Sequence, residues 1–175
     1  VIEQVAIANN IFLEADINVD IAWSRDVVVT GNVFLEGKDH SILVQNASNI
    51  VVNANTIDRN YPARPDNISV NGITFRDCED CIMTGCQIKN VWHGPAAVLL
   101  ENCRRMTIST CSVIDCDGAG IKLSNTSDAM ITACRVQDSR TESAAPVALA
   151  VEGGSGNLIA NNMLHGDVQA PEDTV

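Results

Sequence analysis

The residues with the clearest chemical potential lie in the middle of the chain. Four of them could catalyse a reaction: Arg76, Glu101, Lys122 and His93. An Arg or Lys can neutralise a carboxylate, Arg through two parallel hydrogen bonds. A Glu can transfer a proton, and a His titrates near neutral pH. This set would suit proton abstraction beside a neutralised carboxylate, or hydrolysis, if the fold brings the side chains together.

Four further residues could hold a substrate: Tyr61, Arg64, Trp92 and Asp117. Tyr61 is the only Tyr and Trp92 one of two Trp in a chain with 3% aromatic residues. Their rings combine a flat apolar face with a polar group that can form a hydrogen bond. The alternative is that Trp92 and His93 only pack a loop against the rest of the protein. Asp117, in the sequence CDGAG, also suits a turn.

The elements that would position these residues are short strands that repeat along the chain. A fifteen-residue frame recurs, for example in GITFRDCEDCIMTGC (72–86), AVLLENCRRMTISTC (97–111) and GIKLSNTSDAMITAC (120–134). Apolar and polar residues alternate within it and again after it, which is typical of strands with one buried face. The frame therefore predicts a coil of three short strands, wound about 22 residues per turn.

The frame also separates core positions from surface positions. Its second and fourth places are apolar and should face the core, so we expect Ile121 to be buried. Its third and fifth places should face outward. These outward places hold Arg76, Glu101 and Lys122 on three consecutive coils. The alternative interpretation of this trio is a run of surface ion pairs, each contributing about 0–1 kcal/mol.

The last place of the frame holds only Asn or Cys. These ladder residues are Asn10, Asn32, Asn55, Cys86, Cys111, Cys134 and Asn162. Stacked Asn side chains can hydrogen-bond from coil to coil and tolerate the left-handed backbone of tight turns. Cys cannot form an amide ladder but packs well when buried. A metal would need ligands arranged around it, so we interpret the cysteines as mostly reduced and structural, with a Cys78–Cys103 disulfide as an alternative.

Three strands per coil, the Asn ladder and segments such as SNIVVNANTI (48–57) resemble the right-handed parallel β-helix of the pectin-lyase-like superfamily. The resemblance covers residues 3–168 and implies an all-β solenoid of about seven coils. In that superfamily, loops wall a groove over the first strand of each coil, and glycan chains lie along it. The insertions at 59–70, 90–96 and 139–146 would form such loops here.

No active-site motif of the superfamily is matched. Arg76 could act as the base of a pectate-lyase-like site, but the outward acids Asp20, Glu101 and Glu152 are spread over many coils. We therefore predict no cofactor and no metal. Ca²⁺ is an alternative, but it lacks the support that a cluster of acids would give. The polygalacturonase and epimerase-type motifs are absent. Glu101 and Glu152 share one outward place two coils apart, near the upper end of the ~6.5–9.5 Å gap of inverting glycosidases.

Length and charge limit the domain organisation, the partners and the location that we expect for the chain. The 175 residues fit one domain, 1–175, which we expect to belong to a longer chain. Further coils, capping segments or a partner chain would then cover the open strand edges at its ends. A net charge of −11 argues against nucleic acid and against an anionic membrane surface. No apolar run reaches the ~18 residues of a membrane span. We expect an extracellular or cell-surface location.

Two functional hypotheses follow from the sequence. In the first, a polysaccharide is bound or processed in the groove, by a reaction of the lyase or glycoside hydrolase type. In the second, the chain is a non-catalytic structural or glycan-binding segment of a larger secreted or surface protein. The clustering of loops favours the first hypothesis, and the absence of a paired set of acids favours the second.

Overall fold

The computed structural model describes residues 2–59, 68–140 and 146–171, and its regular elements are all β-strands. The strands form three sheets of seven, and neighbouring strands run parallel. Successive strands of the chain belong to successive sheets, so each coil gives one strand to every sheet. This arrangement confirms the predicted right-handed parallel β-helix of about seven coils.

Two of the sheets flank the ladder. Sheet A contains β1 (Ile2–Ala8), β4 (Ser24–Thr30), β7 (Ser48–Asn53), β10 (Ile82–Thr84), β13 (Thr107–Ser109), β16 (Met130–Thr132) and β19 (Leu158–Ala160). Sheet B contains β2 (Ile11–Leu13), β5 (Val33–Leu35), β8 (Thr56–Asp58), β11 (Gln87–Lys89), β14 (Ser112–Ile114), β17 (Arg135–Gln137) and β20 (Met163–Leu164). The ladder residues lie in the turn between the two.

The third sheet carries the candidate site. Sheet C contains β3 (Ile17–Ala22), β6 (His40–Gln45), β9 (Gly72–Arg76), β12 (Ala96–Glu101), β15 (Ala119–Ser124), β18 (Val147–Glu152) and β21 (Asp167–Gln169). Its strands begin the predicted frames, and most of them have five or six residues. The described parts of the longer insertions precede these strands, so they lie at the corner where sheet B turns into sheet C.

The core is a set of apolar columns that run along the helix axis. Val98 pairs in register with Ile73 on one side and with Ile121 on the other, and Ile121 pairs with Leu149. All four side chains are at most 1% exposed. The prediction that Ile121 is buried is therefore confirmed. Such columns form because the same frame recurs in each coil and the insertions fall outside it, so that one frame position is stacked at every level.

The Asn ladder is confirmed in the first three coils. The backbone N–H and the Nδ2 of Asn32 both donate to Asn55 Oδ1, at 2.9 and 3.0 Å. Asn10 makes the same two bonds to Asn32 Oδ1, at 2.9 and 3.2 Å. Each amide oxygen thus accepts two hydrogen bonds from the preceding coil, and the turn between sheets A and B is held at a fixed register.

Thiols occupy the ladder in the next three coils. All seven cysteines of the chain are buried and free, so the alternative Cys78–Cys103 disulfide is not formed. Asn55 Nδ2 lies 4.0 Å from Cys86 Sγ, where the amide column gives way to thiols. The amide returns at Asn162, whose Oδ1 accepts a bond from the backbone N–H of Cys134 at 2.9 Å.

A second polar stack holds the turn between sheets C and A, directly after the strands of the candidate site. Asp77, Asn102 and Asn125 have φ values of 53°, 53° and 48°, a left-handed backbone that Asp and Asn tolerate better than most residues. Asn102 Nδ2 donates to Asp77 Oδ1 at 3.2 Å, and Asn125 Nδ2 donates to Asn102 Oδ1 at 2.9 Å. The ends of β9, β12 and β15 are therefore held level with one another.

Candidate functional site

The outer face of sheet C carries two rows of side chains, from the third and fifth places of the frame. The row near the middle of the strands holds Asp20, Leu43, Thr74, Leu99, Lys122 and Ala150. The row at the strand ends holds Ala22, Gln45, Arg76, Glu101, Ser124 and Glu152. Arg76, Glu101 and Lys122 therefore lie on the consecutive strands β9, β12 and β15, as the frame predicts.

The cations of these rows are paired with carboxylates. Arg76 Nε lies 2.5 Å from Glu101 Oε2, and the two side chains are 42% and 35% exposed. Lys122 Nζ lies 2.7 Å from Oε1 of Glu152, one strand further along. Pairs this exposed contribute about 0–1 kcal/mol to stability. A bound carboxylate or hydroxyl group could therefore replace one partner at little cost to the fold.

Half of the middle row is recessed although it faces outward, whereas Leu99 and Lys122 are half-buried and Asp20 is exposed. Leu43, Thr74 and Ala150 are only 4–6% exposed. Ala150 also belongs to a small apolar cluster, separate from the main core, whose members are Ala96, Ala119, Ala150, Leu99 and Val147. The surface over sheet C is therefore a shallow apolar floor with ion pairs along the ends of its strands.

Trp92 and His93 lie at the other end of these strands, in the corner that joins sheet B to sheet C. Trp92 is half-buried, and its Nε1 donates to the carbonyl oxygen of Asp115 at 3.2 Å. The guanidinium of Arg59 lies 4.4 Å from the centre of the Trp92 ring, a cation–π contact. His93 is exposed, and its backbone N–H donates to Asp117 Oδ2 at 2.9 Å.

The same corner contains a cation that the sequence interpretation missed. Arg140 Nη1 lies 2.8 Å from Asp117 Oδ1, and its Nη2 lies 2.7 Å from Asp138 Oδ2. Nη2 also donates to the carbonyl oxygen of Cys116 at 2.8 Å. The hydrogen bonds to Asp138 raise the pKa of Arg140, so it is charged at any physiological pH. Its only signal in the sequence is its position in the insertion SRTESAAP (139–146).

The predicted site residues thus fall into two groups on one surface. β12 begins three residues after His93 and ends at Glu101, and a six-residue strand spans about 16 Å from first to last residue. Arg76, Glu101 and Lys122 lie towards one end of the strands, and Trp92, His93 and Asp117 lie beyond the other. The remaining two predicted residues, Tyr61 and Arg64, lie outside the described residues.

The fold defines a single-stranded parallel β-helix domain. The sequence profile described as "Periplasmic copper-binding protein (NosD)" matches residues 2–174. The chain therefore belongs to the NosD family. No curated protein sequence matches it. In the part of the chain that the structure describes, there is no helix long and apolar enough to span a lipid bilayer.

A solved structure supports the same architecture. The chain is similar to a protein from Parabacteroides merdae ATCC 43184 that is named provisionally as a glycosyl hydrolase. The TM-score is 0.61 and the sequence identity is 14%, over 87% of this chain and 79% of that chain. At this identity the likeness shows the fold alone.

Proposed function

We propose that the chain is a carbohydrate-binding β-helix domain that holds a polysaccharide along the outer face of sheet C. The observation that carries the proposal is the set of recessed residues Leu43, Thr74 and Ala150 in the middle row, between two polar borders. A sugar ring has apolar C–H faces and hydroxyl groups at its rim, so a long glycan suits an apolar floor with donors and acceptors on both sides. The family's description as periplasmic supports a location outside the cytoplasm, where such polymers occur.

Binding without chemistry is supported better than catalysis. Glu101 and Lys122 are each engaged in an ion pair, and His93 lies about one strand length from both. A general acid or base has to reach the proton that it transfers within about 2.6–3.2 Å. The site residues are therefore suited to orient a chain along the groove, with Arg76 and Lys122 on one border and Trp92 on the other.

Hydrolysis is the second candidate, and one observation favours it. Glu101 and Glu152 stand in one row with Ser124 between them, so their strands are about 9.6 Å apart. Inverting glycosidases place two carboxyl groups about 6.5–9.5 Å apart. An assay for new reducing ends, run on every glycan that binds, separates this candidate from simple binding. Product formation that is lost in both Glu101→Gln and Glu152→Gln would establish hydrolysis.

A glycan array probed with the full chain tests the binding proposal. The double variant Arg76→Ala with Trp92→Ala should lose retention on any glycan that the parent protein binds. Arg105→Ala is the matched control, because Arg105 is also ion-paired and 35% exposed but contacts Asp80 and Glu79 at the turn before sheet A. The control should bind like the parent protein. Retention on no glycan at all, or equal losses in both variants, would contradict the proposal.

A further inference from the structure

The family's description names copper, so the question is whether the side chains of this chain can ligate a copper ion. Protein sites for copper use thiolate, thioether and imidazole ligands. The chain has seven Cys, four Met and three His, and all of them lie within the described residues. The thiols and the imidazoles can therefore be located, and their contacts decide whether they are available to a metal ion.

The ladder thiols hydrogen-bond to the backbone in the way the ladder amides do. Cys86 Sγ lies 3.7 Å from the carbonyl oxygen of Val52 and 3.6 Å from that of Thr84 in its own coil. Cys134 Sγ lies 3.8 Å from the carbonyl oxygen of Ile108 and 3.4 Å from that of Thr132. In both cases the first of these carbonyls belongs to the residue three before the ladder residue of the preceding coil. Asn55 Nδ2 donates to the carbonyl oxygen of Val29 at 2.9 Å, which is the same relation. The thiol therefore takes the place of the amide beside one recurring carbonyl group and shares its proton between that carbonyl and one of its own coil.

The same relation holds for Cys111 and for the other Asn residues of the ladder. Cys111 Sγ faces the carbonyl oxygen of Met83 at 3.9 Å. The amides of Asn32 and Asn162 reach the equivalent carbonyls of Ile7 and Ile131, each at 2.9 Å. Six consecutive levels of the helix thus pair one side-chain donor with one carbonyl. Each coil therefore requires a side-chain donor at the ladder position, and either Asn or Cys can supply it.

A second thiol column follows the same rule with a hydroxyl as its counterpart. Cys78 Sγ donates to the carbonyl oxygen of Val44 at 3.5 Å, and Cys103 Sγ to that of Phe75 at 3.4 Å. At the next level the residue is Thr126, whose Oγ1 donates to the carbonyl oxygen of Leu100 at 3.2 Å. Because a hydroxyl group makes the equivalent contact in the next coil, these thiols also have a structural explanation.

Protonation differs between neighbouring thiols, and hydrogen bonds with Cys103 and Cys81 lower the pKa of Cys78 to about 3. A metal-binding Cys must be a thiolate. Burial raises the pKa of Cys116 to about 12. Hydrogen bonds with Cys111 lower the pKa of its neighbours Cys86 and Cys134, while the pKa of Cys111 itself is raised. Adjacent thiols of the column therefore share protons through hydrogen bonds. Cys86, Cys111 and Cys134 do not all become thiolates together.

The imidazoles are too far apart to assemble a site. His40 begins the second strand of sheet C, His93 precedes the fourth and His165 precedes the seventh. Coils are about 4.8 Å apart, so any two of these rings are separated by about 10 Å or more along the axis. Ligands of one ion lie within about 4 Å of each other. Among the described residues, no group of three or more His, Cys, Asp or Glu could hold a metal ion.

We propose that the cysteines of this chain serve as structural donors in its ladders, and that the native domain has no tight copper site built from its thiols and imidazoles. The donor set thus disagrees with the copper in the family's description. Copper handling in this chain, if it occurs, would use ligands other than these thiols and imidazoles. The proposal does not depend on glycan binding.

A competition for Cu(I) tests the absence of a site. The full chain is titrated anaerobically, under reducing conditions, against a chromogenic Cu(I) chelator of known affinity. The native protein should leave all copper on the chelator. The same protein unfolded in guanidinium should withdraw copper, because unfolding releases seven thiols; this is the positive control. One equivalent or more of Cu(I) withdrawn by the native, folded protein would overturn the proposal.

Two substitutions at one ladder position test the structural role. Cys86→Asn extends the existing stack, since the new Oδ1 can accept from Asn55 and the new Nδ2 can donate to the carbonyl of Val52. Cys86→Ala removes this side-chain contact with the carbonyl and leaves nothing in its place. We expect the Asn variant to keep the parent Tm and the Ala variant to lose about 2–6 °C, with far-UV circular dichroism to confirm that both fold. An Asn variant that loses as much as the Ala variant would show that the thiol is not acting as a substitute for the amide.

Discussion

Asn55→Ala should be among the most damaging single changes to the fold. Asn55 is 1% exposed and stands at the centre of the amide ladder. Its Oδ1 accepts from the backbone N–H and the Nδ2 of Asn32, and its Nδ2 donates to the carbonyl oxygen of Val29. Truncation to Ala leaves all three of these partner groups without their bond in a place that water does not reach.

The size of the effect follows from these three groups. A buried donor or acceptor left unpaired costs about 1–3 kcal/mol. The three costs are not fully additive, because Asn32 Nδ2 keeps its second bond, to the carbonyl oxygen of Ile7. We therefore expect a loss of about 3–6 kcal/mol in the free energy of unfolding, which is a large fraction of the 5–15 kcal/mol typical of a folded domain.

Asn53→Ala is the matched control, two residues earlier in the chain. Asn53 lies on the outer face of sheet A, is partly exposed, and accepts one bond from Thr30 Oγ1 at 2.7 Å. Water can replace this bond, so the loss should be at most about 1 kcal/mol. Urea unfolding followed by circular dichroism measures both variants. Equal losses in the two variants would refute the argument that the ladder stabilises the coil through buried hydrogen bonds.

Two further predictions concern the core and a half-buried histidine. Ile121→Ala empties a site between Val98 and Leu149 and should cost about 2–5 kcal/mol in urea unfolding. Ile82→Ala, at a position 41% exposed, should cost under about 1 kcal/mol, and a reversed order would contradict the assigned core. Burial holds the pKa of His40 below its ordinary value of 6.5, so the folded state binds fewer protons than the unfolded chain, and stability falls as the pH drops below about 6.5. His40→Gln should flatten this part of the curve of Tm against pH, and an unchanged curve would contradict the assignment.

The sequence predicted the fold in detail because one frame repeats at every level. A constant frame fixes which residues stack, so the column from Ile73 through Val98 to Ile121 could be written down before the structure. The ladder positions were predicted for the same reason. The shared carbonyl acceptors of Asn and Cys were not predicted, since the frame identifies equivalent side chains but does not show which backbone group they face.

The candidate site was less predictable, because its contacts depend on more than the frame. Lys122 lies in the row beside the one that holds both Glu101 and Glu152, one coil away on either side, and the pattern gives no reason to prefer either. In the structure Arg76 engages Glu101 and Lys122 turns to Glu152. The contacts of Trp92 and Arg140 arise in insertions, which have no equivalent in the neighbouring coils. Periodicity cannot assign partners to such residues.

The structure separates two kinds of position in each coil, and this separation limits where function can lie. The core places, the ladder and the turn stacks meet demands that recur at every level, and residues as different as Asn, Cys and Thr meet them through the same backbone contacts. A reactive residue type at such a position is therefore weak support for chemistry. The outward rows of sheet C and the corner that holds Trp92 and Arg140 are under no such demand. Residues there differ from coil to coil, which is why binding is sought on that face and the thiols are assigned to the scaffold.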